Sequence, residues 1–450
     1  LLWFFLVLLF LVVSLYIFIQ TPFGQNWIAK QVTKRLSKNL HTKVTVKHVD
    51  FSLFNRMHLE GLLVEDQRGD TLLYAGDMKL RITDWFFFKK NVELKYIGLE
   101  DAIVKFQRSD SVWSQQFLFD SFGSSSSPSG KKKKGGIQLN LKKLEMKNVR
   151  FLKKDEWMGE DMTAYIGALN LDADEVSFSK KMIEANSLLI DKPVFSINKY
   201  KGLKPGSVKP VANTITTVPA DSLLSWNRGG WVMHIDKLNI RNGIFKTDKQ
   251  SDKPILAGFD GRHIDFSNIN GEFTNVRWIK DSITAHLDLS TKERSGLEVK
   301  KMLADVKFTP KEMAFNNLDI QTNNSRIHHY FRMSYEDFGS MGDFIHKVNM
   351  QADFDGSEID SDDIAFFAPA LKTWKKRITL KGKVRGTVDA LAGRELLVQA
   401  GNNTLLDGDI SLTGLPDINQ TFIDFKSNDF RTCGVVDIHV AERDVGRVLR

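Results

Sequence analysis

The chain has 450 residues, with 42% hydrophobic and 26% charged side chains and a formal net charge of +8. That balance is ordinary for folded protein, so disorder is not the default, while the positive charge is spread out with no nucleic-acid module beside it. The one cysteine, Cys433, cannot close an internal disulfide and reads as a small residue in a strand.

The sequence opens at Leu1 inside an apolar run and reads as an excerpt of a longer chain. From Leu1 to Ile19 it carries no charge, and Ser14 is its only clearly polar side chain. At about 1.5 Å per residue, such a helix spans about 28 Å, close to the hydrocarbon thickness of a bilayer. No A-x-A site follows in Gln20 to Gln25, so residues 1–20 read as an uncleaved membrane anchor, with Leu1, Trp3, Phe4, Phe10, Tyr16 and Ile19 facing lipid. Lys30, Lys34, Arg35 and Lys38 follow it and, taken alone, favour a cytoplasmic side for what comes next.

Residues 21–41 have apolar positions at helical spacing, Phe23, Trp27, Ile28, Val32, Leu36 and Leu40, with Gln25, Lys30, Lys34 and Lys38 on other faces. Two roles fit this amphipathic helix. Its apolar stripe can cap the open end of a β-structure, or Trp27, Ile28, Val32 and Leu36 can lie in a membrane interface with lysines on phosphates.

From Thr42 the period changes to two. Ile283-Ala285-Leu287-Leu289 and Val348-Met350-Ala352-Phe354 show it, as do Ile137-Leu139-Leu141 and Ile378-Leu380. Such alternation turns one face of each strand to apolar surroundings and the other to water. Gly69-Asp70, Asn242-Gly243 and Gly401-Asn402-Asn403 read as turns between strands. The candidate lining of the apolar face includes Leu139, Leu171, Ile235, Leu287, Val306 and Met350. The same alternation describes the core of a β-sandwich as well as an open groove. Length would suggest about two to four domains. However, composition does not change after residue 45, and one continuous β-architecture fits equally well.

A weak internal repeat supports one extended sheet. Leu144-Glu145-Met146-Lys147-Asn148-Val149-Arg150-Phe151 resembles Leu238-Asn239-Ile240-Arg241-Asn242-Gly243-Ile244-Phe245. Leu99 to Phe106 is a looser copy, and Leu318-Asp319-Ile320 begins another. Residues 121–136 are low in complexity, rich in Ser and with four adjacent lysines, and read as a solvated flexible loop; residues 201–220 are a second, Pro-containing loop. Residues 361–374 read as a helix opened by Ser361, Asp362 and Asp363 and limited by Pro369.

No catalytic, cofactor-binding or metal residues emerge. His328-His329 would face opposite ways on a strand and lacks zinc spacing. Glu358, Asp360, Asp362 and Asp363 lack the glycine and terminal glutamate of a calcium loop. Gly382 to Gly386 is too short and strand-like for a phosphate loop, and no nucleophile elbow or dinucleotide fingerprint occurs.

An ordered set of segments carries a resemblance. After the apolar run and the helix with Trp27 come Val44 to Phe54, Leu59 to Asp66, Gly69 to Ala75, and Ile97 to Val104 leading to Trp113. This start resembles the AsmA-like family. Val384 to Leu391 and Gly408 to Asp417 are similar to the TamB family of translocation and assembly module subunits. The loop at 121–136 is not part of that pattern.

The resemblance implies a mainly β fold. A transmembrane helix and a short amphipathic helix would precede an extended, curled, groove-like sheet (a β-taco) with few helices. The segments would be an anchor at 1–20, a helix at 21–41, an AsmA-like β segment at 42–120, the loop at 121–136 and a continuing groove at 137–450. It implies a non-enzymatic inner-membrane protein with a periplasmic body in a double-membrane bacterium. That body would carry phospholipid acyl chains towards the outer membrane, or serve as a scaffold for outer-membrane β-barrel assembly. The implied partner is a BamA-like, TamA-type outer-membrane protein, engaged chiefly through a C-terminal domain outside this sequence. No cofactor is implied.

Overall fold

The computed structural model describes residues 14, 18, 21–52, 56–82, 92–117, 137–177, 179–205, 225–255, 258–367, 369–401, 404–417 and 420–431. The run expected as an anchor, with Leu1, Trp3, Phe4, Phe10, Tyr16 and Ile19, lies outside them, as do the loop at 121–136 and Cys433. Among the described residues no helix is long and apolar enough to cross a membrane.

The first described element is α1 (Pro22–Leu40). Thr21 caps it, its hydroxyl accepting from the Gly24 N–H at 3.1 Å, and Pro22 follows, where its missing N–H costs nothing. His41 ends the helix in the left-handed conformation, φ 53°. Ala29 and Leu40 are buried with Val44, Val49 and Leu59, and the Gln25 amide donates to Asp50 at 3.2 Å. One side of α1 is therefore fastened to the start of the sheet.

Among the described residues, twenty strands follow in one sheet. They are β1 (Val44–Thr45), β2 (His48–Ser52), β3 (Arg56–Glu65), β4 (Thr71–Ile82) and β5 (Val92–Arg108). Then come β6 (Ile137–Asp155), β7 (Glu160–Ser177), β8 (Met182–Asp191), β9 (Val194–Lys199) and β10 (Val232–Lys249). The series continues with β11 (Asp265–Ile279), β12 (Ser282–Glu293), β13 (Glu298–Thr309), β14 (Glu312–Thr322) and β15 (Arg326–Ser334). It ends with β16 (Asn349–Asp360), β17 (Arg377–Thr387), β18 (Ala390–Ala400), β19 (Thr404–Thr413) and β20 (Phe422–Arg431).

Chain order is nearly sheet order. Both β1 and β2 pair with β3, and β8 and β9 lie end to end between β7 and β10. Neighbours are antiparallel except at two joins, β5 with β6 and β10 with β8 and β9. A parallel neighbour needs a long crossover, whereas an antiparallel one needs only a short turn. The two stretches that read as loops from composition, 121–136 and 201–220, lie in sequence between the strands joined in parallel; 206–220, like 121–136, is outside the described residues.

Register aligns the apolar residues across strands. One row runs Val49, Leu59, Met78, Leu99, Met146, Leu169, Ile190 and Ile240, each opposite the next. Another runs Ile183, Met233, Trp278, Ile283, Phe308, Met313 and Met333, then Met350, Gly386, Leu391, Leu412 and Ile423 on β16 to β20. The intervening residues carry charge. Lys147 pairs with Glu100, Lys237 with Glu272, His286 with Asp305, and Lys381 with Asp355.

Lines of bulges cross the sheet. Asp101, Asn148, Asn242 and Asn268 adopt φ of 50°, 52°, 53° and 51° on β5, β6, β10 and β11. The Asn148 amide donates to the Asp101 carboxylate on the neighbouring strand. A second line holds Asn317, Gly356, Gly382, Glu395 and Gly408, with φ from 50° to 155°. An extra residue flips the strand's parity, so Leu99 and Ala102, or Met146 and Val149, stay on one face despite the odd spacing. It also bends the strand. Asn242-Gly243 is thus a bulge inside β10, not the turn that its dipeptide suggests, because αL-tolerant residues serve both purposes.

The helix expected over 361–374 is shorter. Helix α3 (Ser361–Ile364; α2 is Phe344–Lys347) gives way to a turn, and a 3-10 segment runs Pro369–Thr373. Proline lacks the N–H that would continue the helix.

A candidate apolar binding face

Four of the residues singled out for the apolar face, Leu171, Ile235, Leu287 and Val306, belong to one buried cluster and are 9%, 4%, 4% and 6% exposed. Each is flanked across the sheet by apolar neighbours. Leu171 lies between Leu144 and Leu188, and Ile235 between Ala185 and Val276. Leu287 lies between Phe273 and Ala304, and Val306 between Ala285 and Phe315. Met350 is half-buried, between Met333 and Gly386. The backbone of Leu139 pairs with Leu94, and its side chain lies outside the described set.

Aromatic rings extend the face. Phe315 sits 5.5 Å from Phe308 and 6.2 Å from Phe331, and Phe195 stacks on Phe245 at 6.0 Å. Beside Phe195 lies an apolar depression of about 200 Å³, lined by Val104, Phe106, Phe151, Met162 and Ala164. Sequence reading missed this part of the face, because the bulges at Asp101 and Asn148 break the alternation that would have revealed it.

Of the four interfacial positions in α1, Trp27 is 52% exposed; the side chains of Ile28, Val32 and Leu36 lie outside the described set.

Polar groups cluster elsewhere. Arg108 grips Asp155 through two hydrogen bonds of 2.7 Å and lies 4.5 Å over the Trp113 ring. These bonds hold the Asp155 carboxyl below the ordinary range, against the opposing effect of burial. Burial, then the hydrogen bond to Glu145, pushes the Tyr96 hydroxyl up to about 12. His328 and His329 do not converge, since they reach Asp319 on β14 and Asp353 on β16. The acidic run before Pro369 is structural: Asp360 caps α3, Asp362 pairs with Lys375, and Asp363 accepts from Thr322, Ser325 and Asn324.

His58, Glu60 and Asp77 could offer three ligand atoms to a divalent cation, all within 4.8 Å of one another. The His-x-Glu spacing within one strand was the signal for it. However, His58 Nε2 already hydrogen-bonds Asp77 at 2.7 Å, so an ion pair accounts for the group.

No protein-family model matches the chain, and no curated protein matches it.

Proposed function

We propose that this is a non-enzymatic envelope protein whose sheet curls into a groove and carries phospholipid acyl chains along its apolar face. It would do so from an inner-membrane anchor towards an outer membrane. The observation that carries the reading is the continuity of the apolar rows. One apolar row passes from strand to strand from β2 to β10 and a second from β8 to β20, the two overlapping on β8 and β10, and both run perpendicular to the strands. Strands about 4.8 Å apart turn such a row into a track along the sheet's long axis.

Curling is supported by burial. The described strands form a single sheet, yet Leu287 and Ile235 are each 4% exposed. A lone flat sheet leaves one-sided residues open to water, so the face covers itself, and the lines of bulges supply the bend. Acyl chains need such a lining, because each methylene kept from water is worth about 0.8 kcal/mol.

A second reading has its own observation. Strand β20 is paired on one side only among the described residues, and Phe422, Ile423 and Phe430 on it are exposed. A free edge of this kind accepts a strand by main-chain hydrogen bonding, which suits a scaffold for outer-membrane β-barrel assembly with a BamA-like, TamA-type partner.

Native mass spectrometry with lipid extraction, on protein purified without delipidating detergent, separates the two. Co-purifying phospholipid supports the groove. A lipid-free protein with a dry, packed interior supports the scaffold.

A further inference from the structure

We propose that the outward side of α1, bearing Phe23, Trp27, Lys30, Lys34 and Lys38, is a docking surface for an anionic phospholipid bilayer. The proposal rests on the reading of residues 1–19 as an anchor only in so far as that places the helix beside a membrane.

The orientation of α1 is fixed by its inner side. Gln25, Ala29 and Leu40 are buried, and Gln25 is tied to Asp50. The opposite side therefore cannot turn in. On it Phe23 is 73% and Trp27 52% exposed, one turn apart, and Lys30, Lys34 and Lys38 continue at the same spacing, all exposed. Phe23, edge-on to Phe18 at 6.1 Å, and Trp27 together form an exposed apolar patch on a helix already docked by its other side, the kind of patch that marks a contact surface.

Charge selects the occupant. Between Pro22 and Leu40 there are four basic residues and no acidic one. Among the described residues Lys30, Lys34 and Lys38 have no ion-pair partner; some sheet lysines, such as Lys300 and Lys307, have none either, but they alternate with acidic side chains, whereas the helix carries none. Aromatic rings favour the headgroup level of a bilayer, and lysines reach its phosphates. A row of rings and unpaired lysines on one side matches that layer in both respects. Each lysine near an anionic surface favours binding by about fivefold, so three favour it by about 100-fold.

The test uses the 450-residue chain with Cys433→Ser and Gln31→Cys, an exposed position on the same side, labelled with nitrobenzoxadiazole. It is reconstituted in nanodiscs of phosphatidylcholine, with and without phosphatidylglycerol. The expected result is a blue shift and quenching by nitroxide-headgroup lipid in the anionic discs. Salt should weaken it, and Lys30→Gln, Lys34→Gln and Lys38→Gln together should lower the docked fraction's ratio by about 100-fold. Water-like emission in both discs overturns the proposal, as does an unchanged blue shift in the triple variant. An unchanged melting curve shows that the variant folds. Extracting lipid from wild-type protein purified without delipidating detergent keeps the two ideas apart: wild type that carries lipid yet does not dock sinks this proposal alone, and wild type that docks yet carries none sinks the groove alone.

Discussion

A carboxylate placed on the apolar row that runs along the strand ends should interrupt the track. Met350 sits between Met333 and Gly386 on the row that continues to Ile423. One strand step of about 4.8 Å corresponds to about four methylenes of an extended chain. At about 0.8 kcal/mol each, forfeiting them weakens an acyl chain's hold by about 3 kcal/mol, more than 100-fold. Met350→Asp is the first choice, because the site is half-buried and the short side chain cannot reach out to water as a lysine would. Leu287→Asp should act in the same way, at a larger cost to folding, since Leu287 is 4% exposed. The assay is native mass spectrometry of bound phospholipid beside thermal melting. A folded Met350→Asp protein with an undiminished lipid load would refute the reasoning.

Three further outcomes follow from the geometry. Asp155→Asn should destabilise by about 1–2 kcal/mol, because a neutral amide with one acceptor oxygen replaces the carboxylate that Arg108 grips with two charge-assisted bonds. Because the folded Asp155 pKa is lowered, the stability it contributes is present above the ordinary carboxylate range and is lost as pH falls through the folded value. Urea melts between about pH 3 and 7 should therefore show a steeper acid limb for wild type than for the variant. Asn148→Val should cost about 1–3 kcal/mol, and Asn148→Gly little, because a branched side chain resists the left-handed conformation at φ 52°; equal melting midpoints would contradict this. Asp363→Ala strands the Thr322 and Ser325 hydroxyls and the Asn324 amide, so hydrogen exchange should quicken over residues 361–367 while β7 stays protected.

Legibility in the sequence tracked the regularity of each element. The stretches around Leu287 and Val306 keep strict alternation and lie where it places them. The weak repeat at 99–106, 144–151 and 238–245 proves to be an apolar row interrupted by a bulge, at Asp101, Asn148 and Asn242. Its Asn and Asp residues were visible, but a left-handed residue within a strand and one at a turn look alike locally. Only strand pairing separates them, as Gly69-Asp70, a true turn, and Asn242-Gly243 show. The two parallel joins were legible only as loops, because direction is set by the partner strand. The Asp363 contacts could not be read at all, since Thr322, Ser325 and Asp363 meet across two hairpins.

The most direct test of the central claim is photo-crosslinking from single positions in the intact protein. A photoreactive side chain at Leu171, Leu287 or Met350 should capture phospholipid, while one at Lys237 or His286, on the charged face, should not. Capture at the charged positions, or none at the three apolar ones in folded protein, would contradict it.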